Sequence, residues 1–123
     1  MRDHAPKVLS ATTLIGDDVR NAKGERLGDV SDIVVDLATG RTAYAVLDVG
    51  GFLGIGNKLF AVPWESMTVD TEQKCFVLDV DKAFLENAPG FDKNDWPSHG
   101  DFAFANEVHR YYGLEPYHAE AGV

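Results

Sequence analysis

The sequence has little cysteine, no cluster of basic residues and no long apolar run. Cys75 is the only cysteine in 123 residues, which excludes an intrachain disulfide and favours a reducing compartment. No stretch approaches the roughly 18 consecutive apolar residues of a membrane-spanning helix, and the N-terminus lacks the apolar centre of a signal peptide. We therefore expect a soluble, cytoplasmic chain with no membrane insertion.

The charge balance is acidic. Asp and Glu outnumber Lys and Arg by 20 to 11, which gives a formal net charge of −9. A protein that binds nucleic-acid phosphates needs clustered Lys and Arg to release counterions. In this sequence basic residues such as Arg20, Lys23 and Arg26 are isolated among acidic residues. Direct nucleic-acid binding and electrostatic docking on an anionic membrane are therefore not expected.

Apolar residues between Asp17 and Val80 recur with the period of β-strands, and short turn signals containing glycine separate them. Six short strands in about 65 residues are too few for two sandwich sheets and favour a small barrel. We predict a mainly β fold, with a six-stranded barrel over residues 12–82 and a helical extension over residues 83–123. The extension is expected to pack on the barrel or on a neighbouring subunit.

Two features of the predicted strands concern barrel closure. The alternation of side chains slips between Ser31 and Asp32, which predicts a β-bulge that bends the strand. The strand predicted over Arg41–Gly50 is apolar on both faces, so we expect it to be buried on both sides. Another element must therefore cover its outer face.

The pattern changes after the last predicted strand. A short helix is predicted over Asp81–Ala88, a loop over residues 91–100 and a second helix from Asp101. Gly113 is placed to end the second helix as its left-handed C′ residue. Because the second helix carries an aromatic stripe and no basic face, we expect it to pack on a core or on a partner.

Three segments carry a recognisable pattern: Leu14–Val19, Gly24–Asp36 and Tyr44–Trp64. Together they resemble the PRC-barrel domain, and the part from Val49 to Trp64 is the most specific. The resemblance covers about residues 12–82, and the stretch from Asp95 to Tyr117 is similar to extensions in free-standing members of the family.

The resemblance implies a six-stranded barrel with a role in protein assembly. Similar barrels form the cytoplasmic domain of the photosynthetic reaction-centre H subunit and the C-terminal domain of a ribosome-maturation factor. The family offers no shared catalytic residue to carry over, so we expect a non-catalytic interaction module without a cofactor. The chain has neither the transmembrane segment of the H subunit nor the basic surface of the ribosomal factor, so neither specific partner follows.

A glycine-rich stretch, Gly51–Lys58, superficially resembles a phosphate-binding loop. Leu59 stands where Ser or Thr is required, and a strand containing Pro63 follows where a helix should begin. Nucleotide binding is therefore not expected.

Metal binding and catalysis find little support in the sequence. His99, His109 and His118 are spaced ten and nine residues apart, which fits no compact zinc motif. We expect these histidines on the surface and Cys75 as a buried thiol. The strand-edge acids are expected to be solvated charges that deter unwanted pairing: Asp29, Asp32 and Asp36.

An apolar surface for self-association is the remaining expectation. It combines a glycine-rich loop, the outer face of the third strand and the tail helix. The predicted interface residues are Phe52, Leu53, Ile55, Tyr44, Val46, Phe104, Val108 and Tyr112. We expect a homodimer with its two-fold axis near the loop, and the tail helix covers this surface within its own chain or exchanges onto a neighbour.

Two alternative functions stay open at the level of sequence. One is a small-ligand binder that uses the barrel mouth, although side chains should fill so narrow a barrel. The other is an accessory factor that docks on a ribonucleoprotein through a protein partner. Neither the partner nor the physiological process follows from the sequence.

Overall fold

The computed structural model describes residues 6–49 and 58–118. A single seven-stranded sheet dominates it, with the strand order β5-β6-β1-β2-β3-β4-β7. The strands are β1 (Asp18–Arg20), β2 (Arg26–Val35), β3 (Thr42–Asp48), β4 (Lys58–Pro63), β5 (Met67–Asp70), β6 (Cys75–Leu78) and β7 (Gly90–Asp92). The helices are α1 (Ala11–Leu14), α2 (Lys82–Glu86) and α3 (Ala103–Tyr111), and a 3-10 turn spans Trp64–Ser66.

The mainly β class with a C-terminal helix is confirmed, but the strand count and the closure differ from the prediction. The sheet has seven strands and is not closed, because β5 and β7 lie at its two ends. β7 falls in the segment predicted as a loop. A strand of three residues shows no alternation in the sequence, and β7 forms only because it pairs with the first half of β4.

The predicted irregularity in β2 is present. The register of β2 against β3 shifts between Val30 and Asp32, where the side-chain alternation slips in the sequence. The backbones of β2 and β3 also approach closely at Gly28, because a Cβ atom there would lie 2.6 Å from the carbonyl oxygen of Asp48. Any larger residue at position 28 would push the two strands apart.

Burial on both faces of β3 is also confirmed, and it divides the core into two clusters. The inner cluster joins β1 to β6 with α2, and the outer cluster joins β3 and β4 with β7 and α3. Inner members include Val19, Leu27, Ala45, Leu47, Phe60, Val62, Phe76, Leu78 and Leu85. Outer members are Ala43, Tyr44, Val46, Leu59, Ala61, Phe91, Ala105, Val108 and Tyr117.

The tail helix ends as its sequence predicts. Gly113 has a φ of 77°, and the backbone N–H of Leu114 donates to the carbonyl of His109 at 2.9 Å. This is the C-terminal capping pattern of a helix that ends at a left-handed C′ glycine. No helix within residues 6–49 and 58–118 is long and apolar enough to cross a membrane.

Candidate interaction surface

The C-terminal segment from 102 to 118, here called the strap, covers the outer face of β3 and β4. Val46 of β3 and Val108 of α3 are both fully buried in the outer cluster. The ring of Phe104 meets the ring of Tyr44 edge to face, with centroids 5.7 Å apart, a favourable aromatic geometry. The strap therefore provides the cover that the sequence analysis expects over the outer face of the third strand.

Polar contacts hold the end of the strap to the β2–β3 hairpin. The hydroxyl of Tyr117 donates to Asp36 Oδ2 at 2.8 Å, and the Arg41 guanidinium lies 4.5 Å from the centre of the Tyr117 ring. The bond from Tyr117 is the main reason that the pKa of Asp36 is held below its ordinary value. We call Asp36, Arg41 and Tyr117 the latch.

The expectation that Asp36 is a solvated strand-edge charge is wrong. Its side chain is buried under Tyr117, because the strap folds back over the β2–β3 turn. Asp29 and Asp32 are half-buried. Oδ2 of Asp29 lies 3.8 Å from Nη2 of Arg26.

His109 also departs from its prediction, because it is buried instead of lying at the surface. Its Nδ1 lies 2.9 Å from the carbonyl oxygen of Ala105, and its Nε2 lies 3.4 Å from Glu65 Oε1. Burial raises the pKa of Glu65, but hydrogen bonds from its own backbone, from Arg41 and from His109 outweigh it and lower the pKa. The signal was present, since residue 109 lies on the apolar stripe at positions 105, 108 and 112.

A groove remains open between the β2–β3 hairpin and the start of the strap. It is a cavity of about 390 Å³ with an apolar wall that includes Val34, Tyr44, Phe102 and Phe104. Its polar lining comes from Ser98, His99, Asp101 and Asp36. An apolar wall with a few polar groups is typical of surfaces that receive a ligand or a partner side chain.

Beside this groove, the β2–β3 hairpin presents apolar side chains to solvent. Leu37 is 97% exposed and Val35 is 49% exposed, and both line the groove. The sequence analysis did not identify Val35 and Leu37 as exposed apolar residues. The reason is that β2 ends at Val35, so Leu37 lies in the turn beyond the sheet.

The five predicted interface residues that the structure describes lie in three environments. Tyr44, Val46 and Val108 are buried beneath or within the strap, and Phe104 is half-buried at the groove. Tyr112 is half-buried at the edge of both clusters. Phe52, Leu53 and Ile55 lie outside the described residues.

Within residues 6–49 and 58–118, no group of three or more His, Cys, Asp or Glu side chains could hold a metal ion. His99 and His118 are exposed and Cys75 is buried. Burial is the main cause that raises the pKa of the Cys75 thiol. A raised pKa disfavours the thiolate, which is the form that acts as a nucleophile or a metal ligand.

A mainly β fold built on one open sheet, with a helical extension, defines the class as a small β domain. The PRC-barrel domain model matches residues 6–85, more than half of the chain. The chain therefore belongs to the PRC-barrel family. No curated protein matches it.

Proposed function

We propose that this PRC-barrel protein is a non-catalytic assembly module that self-associates as a homodimer. The observation that carries the proposal is the exposed apolar hairpin at Val35 and Leu37 beside an apolar groove. Contiguous apolar surface of this kind usually marks an interaction site in a folded protein. Family membership supports the coarser part, which is a small module without catalytic function.

The surface carries the two parts that self-association needs, a protruding apolar side chain and an apolar groove beside it. Leu37 protrudes from the hairpin, and the groove that could receive an apolar side chain lies next to it. In a two-fold dimer the same patch meets on both subunits, so that each residue contacts the partner reciprocally. Two-fold pairing would seat Leu37 of each copy in the groove of the other.

The charge of the surface also permits pairing, despite the net charge of −9. Of the acids that line the groove, Asp36 already accepts the hydrogen bond from Tyr117, and Asp101 accepts one from the backbone N–H of Ala103. A partner that covers the groove would therefore not bury a carboxylate without a hydrogen bond, which is the costly case.

The absence of enzyme activity and a cytoplasmic location belong to the same proposal. The raised pKa of Cys75 argues against a nucleophilic thiol, and both ring nitrogens of His109 already face Ala105 and Glu65. A single buried cysteine suits a reducing compartment.

The proposal is tested by the oligomeric state of three proteins at micromolar concentration. Light scattering coupled to size exclusion should show a dimer for the native chain and a monomer for Leu37→Asp, because a buried aspartate is an unpaired charge. Val8→Asp places the same change at a site that is also exposed, and it should remain dimeric. A monomeric native chain rejects self-association, and a dimeric Leu37→Asp places the interface elsewhere.

Small-ligand binding is the second candidate, and the groove favours it. The inner cluster fills the sheet interior with Leu47, Phe60 and Phe76, which are fully buried, so the groove and not the barrel mouth offers room. Titration with indole, followed by NMR, should shift the resonances of Tyr44 and Phe102. An absence of shifts at millimolar indole contradicts this candidate.

A further inference from the structure

The groove of the proposed assembly surface is built from two parts of the chain that are far apart in sequence. One part is the β2–β3 hairpin, which contributes Val35 and Leu37. The other part is the segment 98–105, which contributes Phe102 and Phe104 of the strap. Because the strap supplies part of the lining, the groove is complete only while the strap lies on the sheet.

The two ends of the strap pack on each other. The Phe102 ring at the start of the strap stacks on the His118 ring at its end, with centroids 4.3 Å apart and planes 4° from parallel. The Phe102 ring also lies 5.7 Å from the Tyr117 ring, centroid to centroid. The backbone N–H of His118 donates to Oδ1 of Asn106 at 2.9 Å, and Asn106 is buried. A residue that lines the groove is therefore held in place by the end of the strap that carries the latch.

Asp36 joins the strap to the turn that presents Leu37. Its Oδ2 accepts a hydrogen bond from the Tyr117 hydroxyl at 2.8 Å, and its Oδ1 accepts one from the backbone N–H of Ala38 at 3.0 Å. Its backbone N–H donates to the carbonyl oxygen of Arg41 at 2.8 Å. The last two bonds lie within the hairpin and do not involve the strap. Opening of the strap would therefore leave the turn with Leu37 in place and remove the groove beside it.

We propose that self-association and closure of the strap are coupled, an inference that rests on the proposed function. The partner is a second copy of this chain, and its Leu37 enters a groove that only the closed strap completes. A ligand that binds one of two states shifts the population toward that state, and such coupling is reciprocal. Dimerisation therefore holds the strap closed, and opening of the strap releases the partner.

Amide hydrogen exchange of the native chain at several protein concentrations tests the coupling. Exchange in α3 should be roughly tenfold slower at about a hundredfold above the dimer dissociation constant than at high dilution, because dimerisation depletes the species that opens. Leu37→Asp is the control, since the monomer it yields should exchange at one rate at all concentrations. Amides of β6 belong to the inner cluster and report global unfolding, so they should exchange more slowly than those of α3.

Val108→Asp tests the coupling in the opposite direction. Val108 is a fully buried residue of the strap that does not line the groove, and a buried unpaired carboxylate should open the strap. Light scattering should show a monomer although Leu37 is intact, while the amides of β6 stay protected. Glu107→Lys changes an exposed residue of the same helix and should remain dimeric. If Val108→Asp does not fold, the exchange of the native chain still decides.

The failures of the coupling and of the proposed function are distinguishable. A dimeric native chain whose exchange in α3 does not depend on concentration contradicts the coupling and leaves self-association intact. So does a dimeric Val108→Asp. Equal opening free energies in α3 and β6 of the native chain show that the strap does not open by itself, which also overturns the coupling. A monomeric native chain rejects the proposed function, and the coupling is rejected with it.

Discussion

The inner and outer clusters of this domain share strands β3 and β4 but are closed by different means. The inner cluster is formed by β1 to β6 and α2, which lie almost entirely within the PRC-barrel match at residues 6–85. The outer cluster depends on β7 and on the strap, which come after that match. Its closure uses a polar latch between residues 81 positions apart. The comparison indicates that the region matched by the PRC-barrel model, called the barrel below, carries the fold, and that the strap is added to it.

We predict that the strap opens while the residues of the inner cluster remain folded. Segments that open locally have fewer buried contacts and more exposed hydrogen bonds than the core. Opening would uncover Tyr44, Val46 and Leu59 of the outer face.

The largest effect is expected from Phe76→Ala in the inner cluster. Phe76 is fully buried and packs against Trp64, with ring centroids 5.7 Å apart. Removing a buried phenylalanine side chain costs about 4 kcal/mol. Urea denaturation should show this loss in the global free energy of unfolding. The opening free energy of the strap, measured by amide hydrogen exchange in α3, should stay unchanged because both states retain the altered barrel.

Val108→Ala is the corresponding truncation in the outer cluster. We expect it to lower the free energy of unfolding by less than Phe76→Ala does. Val108 is also fully buried, and the loss of its two methyl groups costs about 2 kcal/mol. Both the global free energy of unfolding and the opening free energy of the strap should fall by this amount, because both reactions expose Val108. If Phe76→Ala lowers the opening free energy measured in α3 by its full global loss, the two clusters form one cooperative unit.

Local patterns in the sequence predicted the barrel better than the strap contacts. The bulge near Asp32, the two-sided burial of β3 and the cap at Gly113 each follow from neighbouring residues, and all are confirmed. The burial of Asp36 depends on Tyr117, and no periodicity relates positions so far apart. The exposure of Leu37 was not predicted because the alternation of apolar residues continues past Val35, where β2 ends.

The smallest effect is expected from pH, through the latch. The Tyr117 hydroxyl stabilises the ionised form of Asp36 and lowers its pKa below the ordinary value of 3.8. A carboxyl group whose pKa is lowered on folding contributes stability that is fully present above the unfolded pKa. That contribution is lost as the pH falls from about 4 through the lowered pKa of the folded state. Hydrogen exchange in α3 should therefore accelerate as the pH falls below about 4, after correction for the intrinsic exchange rate.

Tyr117→Phe tests whether the latch is the source of this pH dependence. The variant removes the hydrogen bond to Asp36 but retains the ring beneath Arg41, so the pKa of Asp36 should rise toward its ordinary value. Asp18, whose pKa is lowered chiefly by its hydrogen bond with Arg26, lies in β1 outside the latch and serves as the internal control. NMR titration of both carboxyl groups should show a shift for Asp36 alone. If the opening of the strap keeps its acid dependence in Tyr117→Phe, the dependence belongs to Glu65, whose pKa is also lowered on folding, and the latch does not control the strap.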